Sequence, residues 1–335
     1  MSVDAAAAAG AGPVIAQDVD DEPMAPNQRD PQARAGLMIA ALCAAYTLFH
    51  LVVMVLYPLE TWTYRMMHLC GGLIIGYLTY SALTQSDDAA DPTSSRRGPM
   101  EIALLLAAAA GVIYGLAVVA YAWGAWWLAG VAMPPAFGFS TYGLPLALGT
   151  TAAIVAGWIW SPRDRARVYP GDLLLCLASI AVLGYILFVV GALRMRAGTA
   201  LAQPGDLWAA VTGVLLILEL TRRLTGLALV VIVGVFIAYS FLGPWLPGFL
   251  NHRGYTATRF FTYIFTDQGV LGDPIAVSST YIILFIVFAA FLQASKVGDY
   301  FVNFAFACAG QARGGPAKVA IFASGLMGMI NGTSA

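Results

Sequence analysis

Charged residues are scarce in this sequence. Lysine, arginine, aspartate and glutamate make up 10% of its 335 residues, whereas 60% are hydrophobic and the mean hydropathy is +0.77. Soluble domains carry about 25% charged residues, so this composition predicts a polytopic membrane protein that contacts lipid. The formal net charge of −1 gives no basic surface that could follow phosphates, and we therefore expect no nucleic-acid partner.

Motifs for catalysis or cofactor binding are also missing. The sequence contains no GxxxxGK[ST] phosphate loop and no HExxH, HxxxxD or Cys-x-x-Cys pattern. The four cysteines, each alone in an apolar run and interpreted as small buried residues, are Cys43, Cys70, Cys176 and Cys308. We expect no enzyme and no cofactor. A multispan membrane transferase is a remote alternative that would need a general base or a metal cluster.

Histidine is rare, and none of the three has a carboxylate four or five residues after it. They are His50, His68 and His252. Arg65 and His68 lie near the predicted start of a membrane helix, where snorkelling and helix-end hydrogen bonds explain them. A functional role is the alternative.

The first 34 residues lack the basic start and apolar core of a cleaved signal peptide. They are rich in alanine, proline, aspartate and glutamine, which favours a disordered tail over residues 1–34. Arg29 and Arg34 precede the first apolar run. Because lysine and arginine mark the cytoplasmic side of membrane segments, we predict a cytoplasmic N-terminus.

Five apolar runs have about the length that crosses a bilayer, for which roughly 20 residues are needed. They cover Ala35–Tyr57, Met66–Leu83, Glu101–Trp127, Leu144–Trp160 and Asp172–Leu193. The polar linkers Gln85–Pro99 and Ser161–Gly171 carry clustered arginines and should face the cytoplasm, whereas Met133–Gly143 predicts an external turn. Arg194 and Arg196, in the predicted external loop after the fifth run, conflict with the charge rule.

The stretch Leu207–Leu242 is too long for one span and is interrupted by charges within Glu219–Arg223. In one interpretation Leu207–Leu220 is a short span whose arginine pair emerges in the cytoplasm, and Leu227–Leu242 returns outward. In the other, the first part lies in the membrane interface as an amphipathic arm. Both stay open. We expect Glu219 to be solvated, because it lies near the end of a segment.

Residues Pro244–Asp273 break the pattern of spans. Pro244 and Pro247 end the preceding helix, and the basic and aromatic residues after them favour a helix in the interface plane that connects two domains. Ile275–Ala294 then predicts an inward span, and Asp299–Ala309 predicts a further short segment.

The last stretch, Arg313–Ala335, has the pattern of half a membrane helix. A basic start with glycine and proline leads into an apolar run too short to cross a bilayer. The run closes on the small polar residues Asn331, Gly332, Thr333 and Ser334. An interrupted helix is tolerated at membrane depth only where its freed backbone groups line a protein cavity, and such tips bind ions and anionic substrates in secondary transporters. Small contact residues of a packed membrane helix are the alternative explanation.

Several short segments together resemble a known transporter family. They are ELTRRLTG (Glu219–Gly226), GPWLPG (Gly243–Gly248), HRGY (His252–Tyr255), GDYF (Gly298–Phe301) and the terminal RGGPAKVAIFASGLMGMINGTSA. The combination resembles the fused membrane subunit of TRAP transporters, the tripartite ATP-independent periplasmic transporters, of the type paired with TAXI-class binding proteins. The resemblance is strong from Asp206 onward and fair over Ala35–Leu83. It is weak over Glu101–Trp160, which looks like an extra pair of spans.

The resemblance implies an architecture and a function. Residues 35–250 would form a scaffold membrane domain, with the extra helix pair at about 101–160. Residues 251–335 would form an interfacial connector and the beginning of a large elevator-type transport domain with a re-entrant half-helix. The implied function is sodium-coupled uptake of an organic acid across the bacterial inner membrane, with a periplasmic TAXI-type solute-binding protein as partner.

Na⁺ would be the coupling ion and not a cofactor. By the same resemblance, carbonyls and hydroxyls of the tip at Asn331, Gly332, Thr333 and Ser334 would bind Na⁺ beside the substrate. Asn331 and Thr333 stand where the family frequently has serine, but both keep an oxygen ligand.

The second hairpin of the family and its sodium site are absent before Ala335, so we expect a chain truncated at its C-terminus. A scaffold-only subunit formed by Ala35–Leu250 is therefore an alternative, and a reading frame that continues past Ala335 would argue against it.

Overall fold

The fold is built from α-helices. The computed structural model describes residues 25–31, 33–84, 98–130, 136–162, 164, 166–311 and 313–331. The helices of these residues are α1 (Ala33–Val55), α2 (Thr61–Thr79), α3 (Pro99–Ala129), α4 (Ala136–Trp160), α5 (Pro170–Arg196), α6 (Pro204–Thr225), α7 (Leu227–Leu242), α8 (Ala257–Ile264), α9 (Asp273–Val277), α10 (Ile283–Ala294), α11 (Val297–Ala309) and α12 (Gly315–Asn331). A π-helical turn, Ser278–Ile282, joins α9 to α10. No β-strand occurs among the described residues, so the predicted all-α fold class is confirmed.

Helix length and hydropathy confirm a polytopic membrane protein. Within the described residues six helices are long and apolar enough to cross a membrane. They cover Arg34–Val55, Pro99–Ala129, Gly143–Trp160, Pro170–Arg196, Leu227–Trp245 and Asp273–Ala294. The helix α7 begins and ends at the residues that hydropathy predicted, Leu227 and Leu242.

The start of α4 differs from the prediction. The helix already begins at Ala136 and contains Pro145 in its interior, so the predicted external turn over Met133–Gly143 is wrong from residue 136 onward. Gly143, the last residue of that predicted turn, serves close helix packing instead. A Cβ atom on Gly143 would lie 2.3 Å from the Cβ of Trp208 in α6, a contact that only glycine allows.

The buried core lies between α2, α3, α4, α5 and α6. Its largest fully buried side chains include Tyr77, Leu146, Leu175, Tyr185 and Leu216. The helices α3 and α4 pack on each other and also on α5 and α6, so they are integral to this core. By contrast α7 and α10, which are described throughout, bury no side chain, as expected of helices that face lipid.

Ion pairs at both ends show that α5 and α6 are antiparallel. Arg196 at the end of α5 contacts Asp206 at the start of α6, with Nε and Oδ2 2.6 Å apart. Arg223 near the end of α6 contacts Asp172 at the start of α5, with Nη2 and Oδ1 2.8 Å apart. Because a helix rises about 1.5 Å per residue, the 27 residues of α5 and the returning α6 run side by side over roughly 35 Å. Since α6 runs antiparallel to the apolar helix α5, the geometry fits the interpretation of α6 as a membrane-crossing helix. It does not fit the interpretation as an amphipathic arm in the membrane interface.

The two arginines that conflict with the charge rule are both paired with carboxylates. Arg194 forms an ion pair with Glu60, which also caps α2 by accepting from the backbone N–H groups of Trp62 and Thr63. Arg196 is 8% exposed and bound to Asp206. Because a carboxylate compensates each positive charge, these two arginines can lie at the end of the bundle that is opposite the arginine-rich loops.

The connector after α7 returns the chain to the core. The helix α8 packs on α6, where a Cβ atom on Gly213 would lie 2.5 Å from the ring of Phe265. The continuous helix from Asp273 to Ala294 then packs along α2 and α1. The last two helices, α11 and α12, pack mainly on each other, and α11 also contacts α10.

Candidate functional site

The predicted tip residues follow directly on α12. Asn331 is the last residue of this 17-residue helix, whereas Gly332, Thr333 and Ser334 lie outside the described residues, as does the side chain of Asn331. The 17 described residues of α12 measure about 25 Å. The last four carbonyls of a helix have no partner inside it, and the negative end of its dipole favours a cation. Carbonyls of this kind after α12 are what the predicted sodium site requires.

The helix that carries the tip is supported by α11. Ala305 of α11 and Val319 and Ala323 of α12 form a small buried cluster, and the rings of Phe304 and Phe322 lie 6.2 Å apart. An apolar groove of about 600 Å³ runs beside this contact, with Lys318 as the charged residue of its lining. The described residues of its lining lie along α11 and α12.

A buried ionic cluster closes the end of the bundle opposite the Arg196–Asp206 pair. Asp172 lies between the guanidinium groups of Arg29 and Arg223, and the side chains of all three are at most 1% exposed. Glu219 binds Arg223 and Arg222 at 2.8 Å each and accepts from Nε1 of Trp158 at 2.8 Å. The expectation that Glu219 is solvated is wrong, because it is 3% exposed and its charge is compensated by two arginines.

Residues 25–31, which we expected within a disordered tail, instead form part of this end of the bundle. Nη1 of Arg29 donates to the carbonyl of Tyr77 at 2.7 Å, and its backbone N–H donates to Thr79 at 2.8 Å. Nδ2 of Asn27 donates to the carbonyl of Arg223 at 2.6 Å. The segment thus ties the ends of α2 and α6 together. Residues 1–24 and residue 32 of the predicted tail lie outside the described residues.

A second buried polar group joins α1, α2 and the π-turn, and we call it the histidine seam: Tyr46, His50, His68 and Ser278. Nε2 of His50 lies 2.8 Å from Nδ1 of His68, and Nε2 of His68 lies 3.0 Å from Oγ of Ser278. His50 is 0% and His68 is 9% exposed. The snorkelling explanation for His68 is therefore wrong, because its ring points into a helix junction. Nη1 of Arg65 donates to the carbonyl of Leu271 at 2.6 Å and so binds the connector.

Sequence reasoning missed the seam because His50 and His68 lie in separate apolar runs. The available signal was the presence of two ionisable residues inside predicted membrane helices, which by default marks a functional position. Their spacing of 18 residues could not show that the two rings meet. The described residues contain no group of three or more histidine, cysteine, aspartate or glutamate residues that could hold a metal ion.

The described helices define a multi-pass, all-α membrane protein. Residues 212–335, somewhat more than a third of the chain, match the family described as "Tripartite ATP-independent periplasmic transporter, DctM component". This part of the chain is therefore similar to the permease component of TRAP transporters, a family of transporters and not of enzymes. This family implies a small-molecule substrate and a periplasmic solute-binding partner. Comparisons with curated proteins and with solved structures find no match.

Proposed function

We propose that the chain is the membrane permease component of a sodium-coupled TRAP transporter that takes up organic acids with a TAXI-type periplasmic binding protein. The match of residues 212–335 to the DctM family carries this proposal. In it, residues 35–250 are the scaffold, with an extra helix pair at about 101–160. Residues 251–335 are the connector and the beginning of the transport domain. The protein lies in the bacterial inner membrane.

Sodium is the proposed coupling ion, and its site is the tip at Asn331, Gly332, Thr333 and Ser334. A hard monovalent cation needs several oxygen ligands, which carbonyls at a helix break and small hydroxyl side chains supply. They do so without a buried carboxylate, which would be costly at membrane depth. The proposal is supported by the position of α12, which leads directly into these residues, since carbonyls at a helix C-terminus are unpaired.

The function is tested by uptake into proteoliposomes that contain the permease expressed from its complete reading frame. A panel of ¹⁴C-labelled small carboxylates is added with the binding protein, and an inward gradient of Na⁺ is compared with one of K⁺. Typical coupling free energies change an equilibrium 5- to 150-fold, so we expect Na⁺ to speed uptake about tenfold or more for the correct solute. Uptake at equal rates under both gradients would refute sodium coupling. Uptake without the binding protein would refute the proposed partner.

The proposal also predicts the orientation of the loops. In a variant without native cysteines, Ala166→Cys in the arginine-rich loop should stay unlabelled by an impermeant maleimide in right-side-out vesicles, as should Ser94→Cys in Gln85–Pro99. Leu201→Cys, in the α5–α6 loop, is the matched control, since Leu201 is 77% exposed and should be labelled at once. Labelling of Ala166→Cys without permeabilisation would contradict the predicted cytoplasmic N-terminus.

A further inference from the structure

The π-turn Ser278–Ile282 interrupts an otherwise continuous apolar helix from Asp273 to Ala294. Within it, the N–H of Ile283 donates to the carbonyl of Ser278, five residues earlier. Such a turn holds one residue more than the α-helix on either side and widens the helix locally, and these turns are found mostly where they serve function. Some other part of the protein has to stabilise the widened turn.

Two residues of α2 contact this turn at consecutive positions. The hydroxyl of Tyr64 donates to the carbonyl of Ser279, and Tyr64 is 6% and Ser279 0% exposed. Nε2 of His68 contacts Oγ of Ser278. Because residues four apart lie on the same face of a helix, Tyr64 and His68 together present two polar groups to the turn. The tyrosine hydroxyl supplies a carbonyl of the turn with a donor from outside its own helix, and side chains that enter the hydrogen-bond ladder of a helix are found where the helix departs from regular geometry.

The protons of the histidine seam can be assigned from its partners. Nδ1 of His50 lies 2.7 Å from the backbone carbonyl of Tyr46, which only accepts, so this nitrogen carries the proton. In a neutral ring Nε2 of His50 then accepts from the Nδ1–H of His68. The same N–H lies 2.8 Å from the hydroxyl oxygen of Tyr46, whose own proton goes to the backbone carbonyl of His68. Nε2 of His68 therefore accepts from the hydroxyl of Ser278. Every ring nitrogen of the pair has a partner, and the seam needs no net charge.

The hydroxyl of Ser278 is therefore used differently from those of its neighbours. Ser279 and Thr280 both donate to the carbonyl of Ala276 in their own helix, at 3.2 and 2.7 Å. Ser278 instead donates to α2 through His68. A serine hydroxyl directed away from its own helix links the π-turn to α2 and, through His50, to α1.

The π-turn also determines the orientation of the helices that follow it, α11 and α12. One residue more or fewer rotates everything after it by about 100°, because the α-helix has 3.6 residues per turn. Ser295 and Lys296 end α10 with a sharp bend in which Lys296 has a φ of 54°, and α11 and α12 follow. Since α11 packs mainly on α12 and α10, the face of α10 fixes the direction of the helix that leads to the tip.

We propose that Tyr64 and His68 are positioning residues that hold the π-turn open, and that the open turn sets the placement of α12 and of its C-terminal tip. The consequence for transport rests on the proposed function. The positioning itself does not, and it is tested without transport.

The first experiment is a double-mutant cycle on unfolding in detergent. Deletion of Ile282 removes the extra residue and closes the turn into an α-helix. Tyr64→Phe should lower the unfolding midpoint in the wild-type background and leave it unchanged in the deletion background, because the second background has no widened turn to stabilise. Tyr281→Phe is the matched control, since Tyr281 lies in the same turn with its side chain 66% exposed, and it should have no effect in either background. An equal loss for Tyr64→Phe in both backgrounds would overturn the proposal.

The second experiment needs no deletion and covers the case in which that variant fails to fold. Nitrogen NMR of the ¹⁵N-histidine-labelled protein should show His68 protonated at Nδ1 and unprotonated at Nε2. Ser278→Ala should shift the Nε2 signal of His68, and it should also change which of Phe285→Cys and Ile286→Cys reacts faster with a thiol reagent. A His68 proton on Nε2, or an unchanged reactivity pattern along α10, would overturn the proposal. The NMR signal and the cysteine reactivity test the positioning role independently of transport, so they remain informative even if the protein shows no sodium-dependent uptake.

Discussion

Replacing Asp172 with asparagine should destabilise the protein by about 3–5 kcal/mol, the cost of leaving buried charges without their partner. The carboxylate contacts the guanidinium groups of Arg29 and Arg223, whose side chains are 0% exposed. Asparagine keeps the size of the side chain but removes its charge, so Arg29 would lose its carboxylate partner and Arg223 would keep only Glu219. The loss is measured as the shift in chemical or thermal unfolding of the purified protein in detergent.

Asp164→Asn provides the matched control in the same region of the chain. Asp164 pairs with Arg167 at 3.1 Å, but the two side chains are 41% and 72% exposed. Exposed pairs contribute about 0–1 kcal/mol, so this variant should unfold close to wild type. Arg29→Ala should cost less than Asp172→Asn, because Asp172 would keep Arg223. An Asp172→Asn protein within about 1 kcal/mol of wild type would show that the cluster is not held together by charge pairing.

The sequence predicted the helices far better than their polar contacts. The bounds of α7 and the all-α membrane fold follow from the hydropathy of single apolar runs, which depends only on neighbouring residues. The pairing of Arg29 with Asp172 joins positions 143 residues apart, and nothing in either local pattern indicates it. The π-turn was equally hidden, because the run that contains it reads as uninterrupted apolar sequence.

Glycine and charged residues were the least reliable local signals. Gly143 lies in the stretch predicted as an external turn, yet it permits contact between α4 and Trp208. Glu219 suggested a solvated helix end, yet it is buried among Arg222, Arg223 and Trp158. In both cases a neighbouring helix determines the role of the residue. The pattern of a single segment does not indicate which helix will pack against it. The tip at Asn331 stays a prediction, which rests on a local feature of the sequence, small polar residues after a short apolar run.

Replacing Thr333 or Ser334 with leucine in the complete permease should abolish sodium-dependent uptake while membrane insertion stays intact. The proposed site uses the hydroxyl and carbonyl oxygens directly after the end of α12 at Asn331, and a bulky apolar side chain removes one ligand and fills the space of the ion. Uptake is measured in proteoliposomes under a Na⁺ gradient, and insertion by recovery of the monodisperse protein from the membrane. Ser324→Leu is the matched control, since Ser324 is exposed on the same helix two turns before the tip.

Smaller changes at Thr333 separate the loss of a ligand from the loss of space. Thr333→Ser keeps the hydroxyl and should keep uptake, whereas Thr333→Val has nearly the same volume as threonine and lacks the hydroxyl. If Na⁺ binds the side chain, Thr333→Val should require a higher Na⁺ concentration for half-maximal uptake, and Thr333→Ser should not. Equal Na⁺ dependence in these two variants, with uptake retained in Thr333→Leu and Ser334→Leu, would remove the tip from the ion site. The small residues there would then serve helix packing, as they do in many membrane helices.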